Sequence, residues 1–288
     1  MHRKLDILAD TGYAVMRDWQ GPPIAPAEWE SLTYLDWKSG GDTNFAPLAS
    51  ATGELDCRGF WDHGKPDKDG IWTQNRELAP SLCRYVEGIG GNFGRVRVIK
   101  LNPSDEATAL RQLHRDDNNR LNPDGCGWVV RSWLELDDTA EQSVFILREQ
   151  KDDPATETRI ALHPGMQLII DTERLHHVVW HPGPQPRYAL ITSWESDDVI
   201  DKWISNETQP APASVTVPRP GQPDLVSAVQ LSGESATSAP LRARQPRLPQ
   251  RTGRAAGTAR LHRRRPGPPW RGRRSRDRRG RSWPRATR

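Results

Sequence analysis

His114 and Asp116 of Leu113-His114-Arg115-Asp116, and the cluster His176, His177 and His181 followed by Arg187, have types and spacings suited to metal chemistry. In extended backbone, residues i and i+2 point the same way, so His114 and Asp116 present an imidazole and a carboxylate to one point. A neutral imidazole is a common ligand of first-row metals, and an arginine is the natural clamp for a carboxylate. If one histidine of the later cluster meets the pair, they supply two nitrogens and one oxygen. That is the donor set of a facial Fe(II) site with coordination positions left open. Taken alone, the H-x-D tripeptide is weak evidence and is more at home in a solvated loop, because its surroundings, LHRDDNNRLNPDG, are polar and turn-rich.

These residues need elements to position them. Gly94–Leu101, Gly127–Leu136, Ser143–Leu147, Thr158–His163, Gly165–Asp171, Leu175–Trp180 and Tyr188–Trp194 read as strands separated by turn residues, a spacing that suggests a sandwich or barrel. No helix of useful length separates them, which argues against a parallel α/β sheet. His176 and His177 are neighbours in one strand and face opposite sides, so only one can point inward. His177, Val179 and His181 share one face, and His176, Val178 and Trp180 the other. Antiparallel pairing across the PGPQP turn brings Arg187, ten residues beyond His177, towards the same inner region. Upstream, a helix is expected over 76–89, stopped by Gly90 and Gly91, with another around Pro26–Leu35 and a closing helix at Asp197–Ile204. Residues 1–75 are weakly periodic and suggest short strands or turns.

The joint pattern is more specific than its parts. GRVRVIKLNPSDEATALRQLHRD (94–116), VRSWLEL (130–136) and HVVWHPGPQPRYAL (177–190) together resemble the Fe(II)/2-oxoglutarate-dependent dioxygenases, in particular the aspartyl/asparaginyl β-hydroxylase and proline-hydroxylase branch. The resemblance covers roughly residues 78–195. It implies a mainly β fold, a double-stranded β-helix of the jelly-roll or cupin-like kind with flanking helices. It also implies that His114, Asp116 and His177 bind Fe(II), that Arg187 holds the distal carboxylate of 2-oxoglutarate, and that Arg131 is a second contact to this co-substrate. The expected reaction couples decarboxylation to succinate with hydroxylation by dioxygen of an amino acid, peptidyl residue or related small molecule. Trp128, Trp133, Trp180 and Trp194 are candidates for a dry wall around the site. Two departures stand out. Trp133 stands where the β-hydroxylases have a histidine near the co-substrate, and Asp116 is a carboxylate that those enzymes characteristically lack. The site therefore leans to the proline-hydroxylase side.

Composition divides the chain. Residues 241–288 hold 18 Arg, no Lys and one acid, a net of +17 against an overall +4, which leaves −13 on the first 240 residues. We therefore expect a dioxygenase domain over 1–205, a Pro/Ala/Ser/Thr-rich linker over 206–240 and a disordered Arg-rich tail over 241–288. The acidic domain disfavours a polyanionic substrate at its site. Association with nucleic acid falls to the tail alone, where charge suits phosphate but Trp270 and Trp283 are the only aromatics for stacking. Besides the enzyme, a non-catalytic binding protein on the same fold is the competing class. Cys57, Cys83 and Cys126 are odd in number and widely spaced, which points to a reducing compartment and away from a zinc motif. With no apolar run for a signal peptide or membrane span in the N-terminal segment, a cytoplasmic protein is expected. The glycine-rich stretch Glu87–Gly94 follows a helix rather than a strand, so it is read as a helix stop and not a phosphate loop. His63 and His163 have no partner at metal spacing.

Overall fold

A computed structural model describes residues 5–36, 43–122 and 128–208. The linker beyond 208, the Arg-rich tail and Cys126 lie outside the described residues. The chain runs through β1 (Tyr13–Met16), α1 (Ala27–Glu30), β2 (Leu35–Asp36), β3 (Thr43–Ser50), β4 (Ile71–Trp72), α2 (Pro80–Ile89), β5 (Phe93–Leu101) and α3 (Glu106–Arg111). It continues through β6 (Val129–Glu135), β7 (Val144–Arg148), β8 (Glu157–Ala161), β9 (Gln167–Ile170), β10 (His176–Trp180), β11 (Arg187–Glu195) and α4 (Asp198–Glu207).

Eight strands form one antiparallel sheet in the order β1-β9-β6-β11-β5-β3-β2, with β4 added to β3, and β10-β7-β8 form a second. The large sheet is apolar on both faces. On one face Val96, Val98, Leu134, Leu190 and Trp194 pack with Leu82, Val86, Ile200 and Ile204 of α2 and α4. On the other, Phe45, Trp133, Leu168, Ile170, Ala189 and Ile191 pack with Phe145 and Leu147 of the small sheet. Two antiparallel sheets closing on a shared apolar layer, with helices outside, fit the sandwich or barrel that the strand spacing suggested and make the mainly β, jelly-roll arrangement that the resemblance implied. The strands expected at Gly94–Leu101, Gly127–Leu136 and Tyr188–Trp194 correspond to β5, β6 and β11, with β11 lying between the other two. Among the described residues no helix is long and apolar enough to cross a membrane.

Several elements differ from expectation for identifiable reasons. The helix expected over 76–89 is broken: a 3-10 turn covers Gln74–Leu78, and α2 begins afresh at Pro80. Proline has no amide hydrogen to continue the turn and biases Ala79 away from helix, so it suits the first helical position. Glu28 of α1 accepts the Ser81 and Leu82 amides of the first turn of α2 at 2.7 and 3.2 Å. The expected helix near Pro26–Leu35 is only the single turn α1. The closing helix is present, capped by Asp197, whose carboxylate accepts the Val199 and Ile200 amides. α3, capped by Asp105, is a further short helix beyond those expected.

Trp194 is fully buried, donates from Nε1 to Ser132 Oγ at 2.8 Å, and lies 5.7 Å from the Trp203 ring. Trp194→Ala is expected to cost about 3–5 kcal/mol, read as a lowered urea midpoint. Ile71→Ala, at a 47 % exposed position, is expected to stay within about 0.5 kcal/mol. Equal losses would contradict this placement of the core.

Candidate metal centre and its cavity

His114 follows α3, and an isolated antiparallel bridge couples it to His177 on β10: each amide donates to the other's carbonyl, at 3.3 and 2.8 Å. The Asp116 amide donates to Thr172 O at 2.9 Å, which fixes the turn that swings its carboxylate back. One ligand atom from each of His114, Asp116 and His177 lies within 4.8 Å of the others, among the described residues the one group of three able to hold a metal ion. The Nε2 atoms of both histidines are 3.7 Å from the Asp116 carboxylate. Their rings are 4.5 Å apart.

The imidazoles are oriented for coordination. His114 Nδ1 lies 2.9 Å from Gln112 O, and His177 Nδ1 3.4 Å from Leu175 O. A carbonyl only accepts, so each Nδ1 carries the proton and each Nε2 keeps its lone pair for a metal. Burial lowers His177 to about 4, despite the opposing pull of Asp116, so its ring is neutral near pH 7. Burial alone would raise Asp116, but Arg131, His177 and His114 together hold it well below the usual carboxylate range. Arg131 Nη1 lies 2.7 Å from Asp116 Oδ2, off the line of a hydrogen bond, and that oxygen has no hydrogen-bond donor among the described residues. Two imidazole nitrogens and one ionised oxygen with unspent acceptor capacity fit a divalent first-row cation.

A polar net fixes Arg131. Its Nη2 donates to Asn118 Oδ1 at 2.7 Å, an oxygen that Arg95 also reaches, and Arg95 Nε donates to Asp67 Oδ2 at 2.9 Å. Ser193 Oγ donates to the same Asp67 oxygen at 3.1 Å, and Asn118 Nδ2 to Thr172 Oγ1 at 3.2 Å. Burial would raise the Asp67 carboxyl, but Arg95 and Arg131 hold it low. Gly94 is required beside this net: a Cβ there would stand 2.2 Å from Asp67 O and 2.3 Å from Asp67 Oδ1.

The three candidate ligands line a cavity of about 1070 Å³. Its walls include Arg95, Arg97, Arg131, Trp133, Phe145 and Cys57. The Trp133 ring is edge-on to Phe145 at 5.1 Å and 5.9 Å from His177, closing the inner side of the site. Of the four tryptophans expected in the wall, only Trp133 lines the cavity. Trp194 and Trp128 pack on the opposite face of the large sheet, and Trp180 lies outside the lining. His181 is fully buried, its Nδ1 2.8 Å from Ser143 Oγ and its Nε2 2.5 Å from Gln185 O, a link within its own loop. His176 takes the other side of β10 and does not line the cavity.

Arg187 is where the geometry departs from the sequence expectation. It is fully buried at the start of β11 and does not line the cavity. Its Nε donates to Glu135 Oε2 at 2.8 Å and its Nη2 to Glu135 Oε1, a two-point pair in which Nη1 has no hydrogen-bond partner among the described residues. A carboxylate is bound there, but it belongs to the protein. Sequence reasoning missed Arg95, Arg97, Cys57 and Phe45 as cavity residues. The alternation in GRVRVIKL was visible, yet period-2 patterning says which residues share a face and not which face lines a site.

No family model matches the sequence, and no curated protein matches it. Solved structures similar to this chain include a 2OG-Fe(II) oxygenase family oxidoreductase from Burkholderia pseudomallei. It is 12 % identical, with a TM-score of 0.41, over 65 % of this chain and 86 % of that one. A prolyl hydroxylase from Trichoplax adhaerens, in complex with a hypoxia inducible factor peptide, is 12 % identical with a TM-score of 0.40, over 70 % of this chain and 90 % of that one. HygX from Streptomyces hygroscopicus, with nickel and 2-oxoglutarate bound, is 13 % identical with a TM-score of 0.38, over 69 % and 88 %.

Two outcomes test this geometry. His177→Ala is expected to abolish Co(II) binding, read as loss of the visible cobalt spectrum, while His176→Ala retains it; the reverse would mean that β10 presents its other face. Arg187→Met leaves Glu135 buried without its cation and is expected to cost about 3–5 kcal/mol. The double replacement Glu135→Leu/Arg187→Met should recover most of that loss in urea unfolding.

Proposed function

We propose that the protein is an Fe(II)- and 2-oxoglutarate-dependent oxygenase that hydroxylates an amino acid, a peptidyl residue or a related small molecule. The observation that carries this reading is the meeting of His114, Asp116 and His177 within 4.8 Å at the wall of a large cavity. Bound iron and keto acid would supply oxidative decarboxylation to succinate coupled to oxygen insertion into a C–H bond. The protein's own residues do the rest. His114 and His177 offer Nε2 donors, and Asp116 offers charge. Arg131 keeps the Asp116 carboxylate aimed, and its place on the cavity wall also suits contact with an anionic co-substrate. Trp133 and Phe145 exclude water from the inner side. A cavity of about 1070 Å³ is much larger than a five-carbon keto acid needs, so most of it is left for substrate and dioxygen. The free thiols of Cys57 and Cys83 support a reducing, cytoplasmic setting.

Anaerobic addition of 2-oxoglutarate to the Fe(II)-loaded protein is expected to give a weak visible charge-transfer band, and a screen of amino acids and short peptides to reveal substrate-stimulated succinate release. His114→Ala and Asp116→Ala should reduce both to background. Absence of band and succinate in the unaltered protein would favour a non-catalytic binding protein on this fold. A chain ending at residue 208 should keep its succinate release; loss of function with a folded domain would instead favour nucleic-acid association through the Arg-rich tail.

A further inference from the structure

We infer that Arg97, on β5, is the anchor for the far carboxylate of the keto acid, in place of Arg187. The inference rests on the iron and 2-oxoglutarate reading. On the inner face of the large sheet, Trp133 of β6 stands opposite Ile191 of β11, and Ile191 opposite Arg97 of β5. Trp133, Ile191 and Arg97 therefore form one transverse row, and all three line the cavity. The Trp133 ring lies 5.9 Å from His177, so this row passes beside the metal ligands. Arg97 is two strands from Trp133, about 10 Å between backbones, a span that a metal-bound five-carbon diacid and an arginine side chain can bridge together.

Arg187 is placed otherwise. Arg131, which touches Asp116, pairs with Ser193, whereas Arg187 starts β11 six residues earlier, about 20 Å along the strand. Its side chain reaches part of the way back, but only as far as Glu135, which binds it at two points. Trp133 and Glu135 share the inner face of β6, with Trp133 on the side nearer the metal ligands. For a keto acid to use Arg187, the indole would have to move and the Glu135 pair would have to open.

Arg97 has the properties that an anion anchor needs. It is 7 % exposed and faces the cavity. Its guanidinium sits 3.9 Å from the Phe45 ring centroid, which holds the planar group in one orientation. Burial, with Arg131 and Arg95 close by, lowers it to about 9, so a carboxylate arriving there would stabilise a charge that its surroundings oppose. A guanidinium can meet a carboxylate through two parallel bonds, which is the specificity required to tell a diacid from a monoacid.

The test compares 2-oxoglutarate with 2-oxopentanoate, the same chain without the far carboxylate, by anaerobic calorimetry on the Co(II)-loaded protein. The unaltered protein is expected to prefer the diacid by at least about tenfold. Arg97→Gln should lose that preference while keeping Co(II) affinity and the cobalt spectrum, and Arg97→Lys should recover part of it. The double replacement Glu135→Leu/Arg187→Met, which removes the buried pair without stranding a charge, should keep the preference. If Arg97→Gln and Arg97→Lys both retain the full preference, or the double replacement abolishes it, the assignment of Arg97 is overturned. Co(II)-dependent binding of neither acid to the unaltered protein would instead overturn the iron and keto-acid reading itself.

Discussion

The contact between Arg131 and Asp116 ties the candidate metal centre to the rest of the molecule. A carboxylate withdrawn from water is expensive to keep ionised, and Asp116 remains so because a guanidinium lies 2.7 Å away. That guanidinium is itself buried, on the central strand β6, and it too needs compensation. Asn118 and Asp67 supply it, and Arg95 and Ser193 hold Asp67 in turn, in a chain of bonds linking β6, β5 and β11 to the loop after His114. Removing one partner from such a net costs more than the bond itself, because each neighbour is left buried and unmatched. The ligand turn is therefore held by the same strands that build the apolar layer.

Much of the fold was legible because the strands from β5 onward are rich in Val, Ile, Leu and Trp and bounded by turns. β3 was not. Its sequence, TNFAPLAS, has little strand propensity, and Pro47 argues against an interior strand. The structure accommodates the proline where the β3–β5 register shifts between Pro47 and Ala49, and the Pro47 carbonyl is satisfied from outside the sheet by Thr73 and Asn75. β1 is only four residues and gains its place by pairing with β9, a contact between distant parts of the chain that local pattern does not carry.

The site divides along the same line. His114 and Asp116 were readable because two residues apart is a local geometry, and His177 because strand alternation separates it from His176. The partner of Arg187 was not legible, for a physical reason. A buried arginine on an inner face can serve a bound acid or an internal one, and only the three-dimensional position of Glu135 decides between them. Both residues lie in stretches whose spacing fits a ligand clamp, and nothing in either stretch announces that they meet. Arg97 was hidden in the opposite way, as a charged residue inside a strand whose cavity-facing side the sequence does not mark.

The backbone bridge between His114 and His177 bears on how a metal would come and go. Two reciprocal amide bonds hold the histidines side by side through main-chain atoms, and both imidazoles are further tethered at Nδ1 by nearby carbonyls. The long loop joining them is closed by folding and not by the ion. Little chain entropy is then left for coordination to remove, so the three donors behave as a rigid chelator rather than a clasp that forms around its cargo. Loss of the metal would leave the cradle standing, ready to refill from solution without refolding.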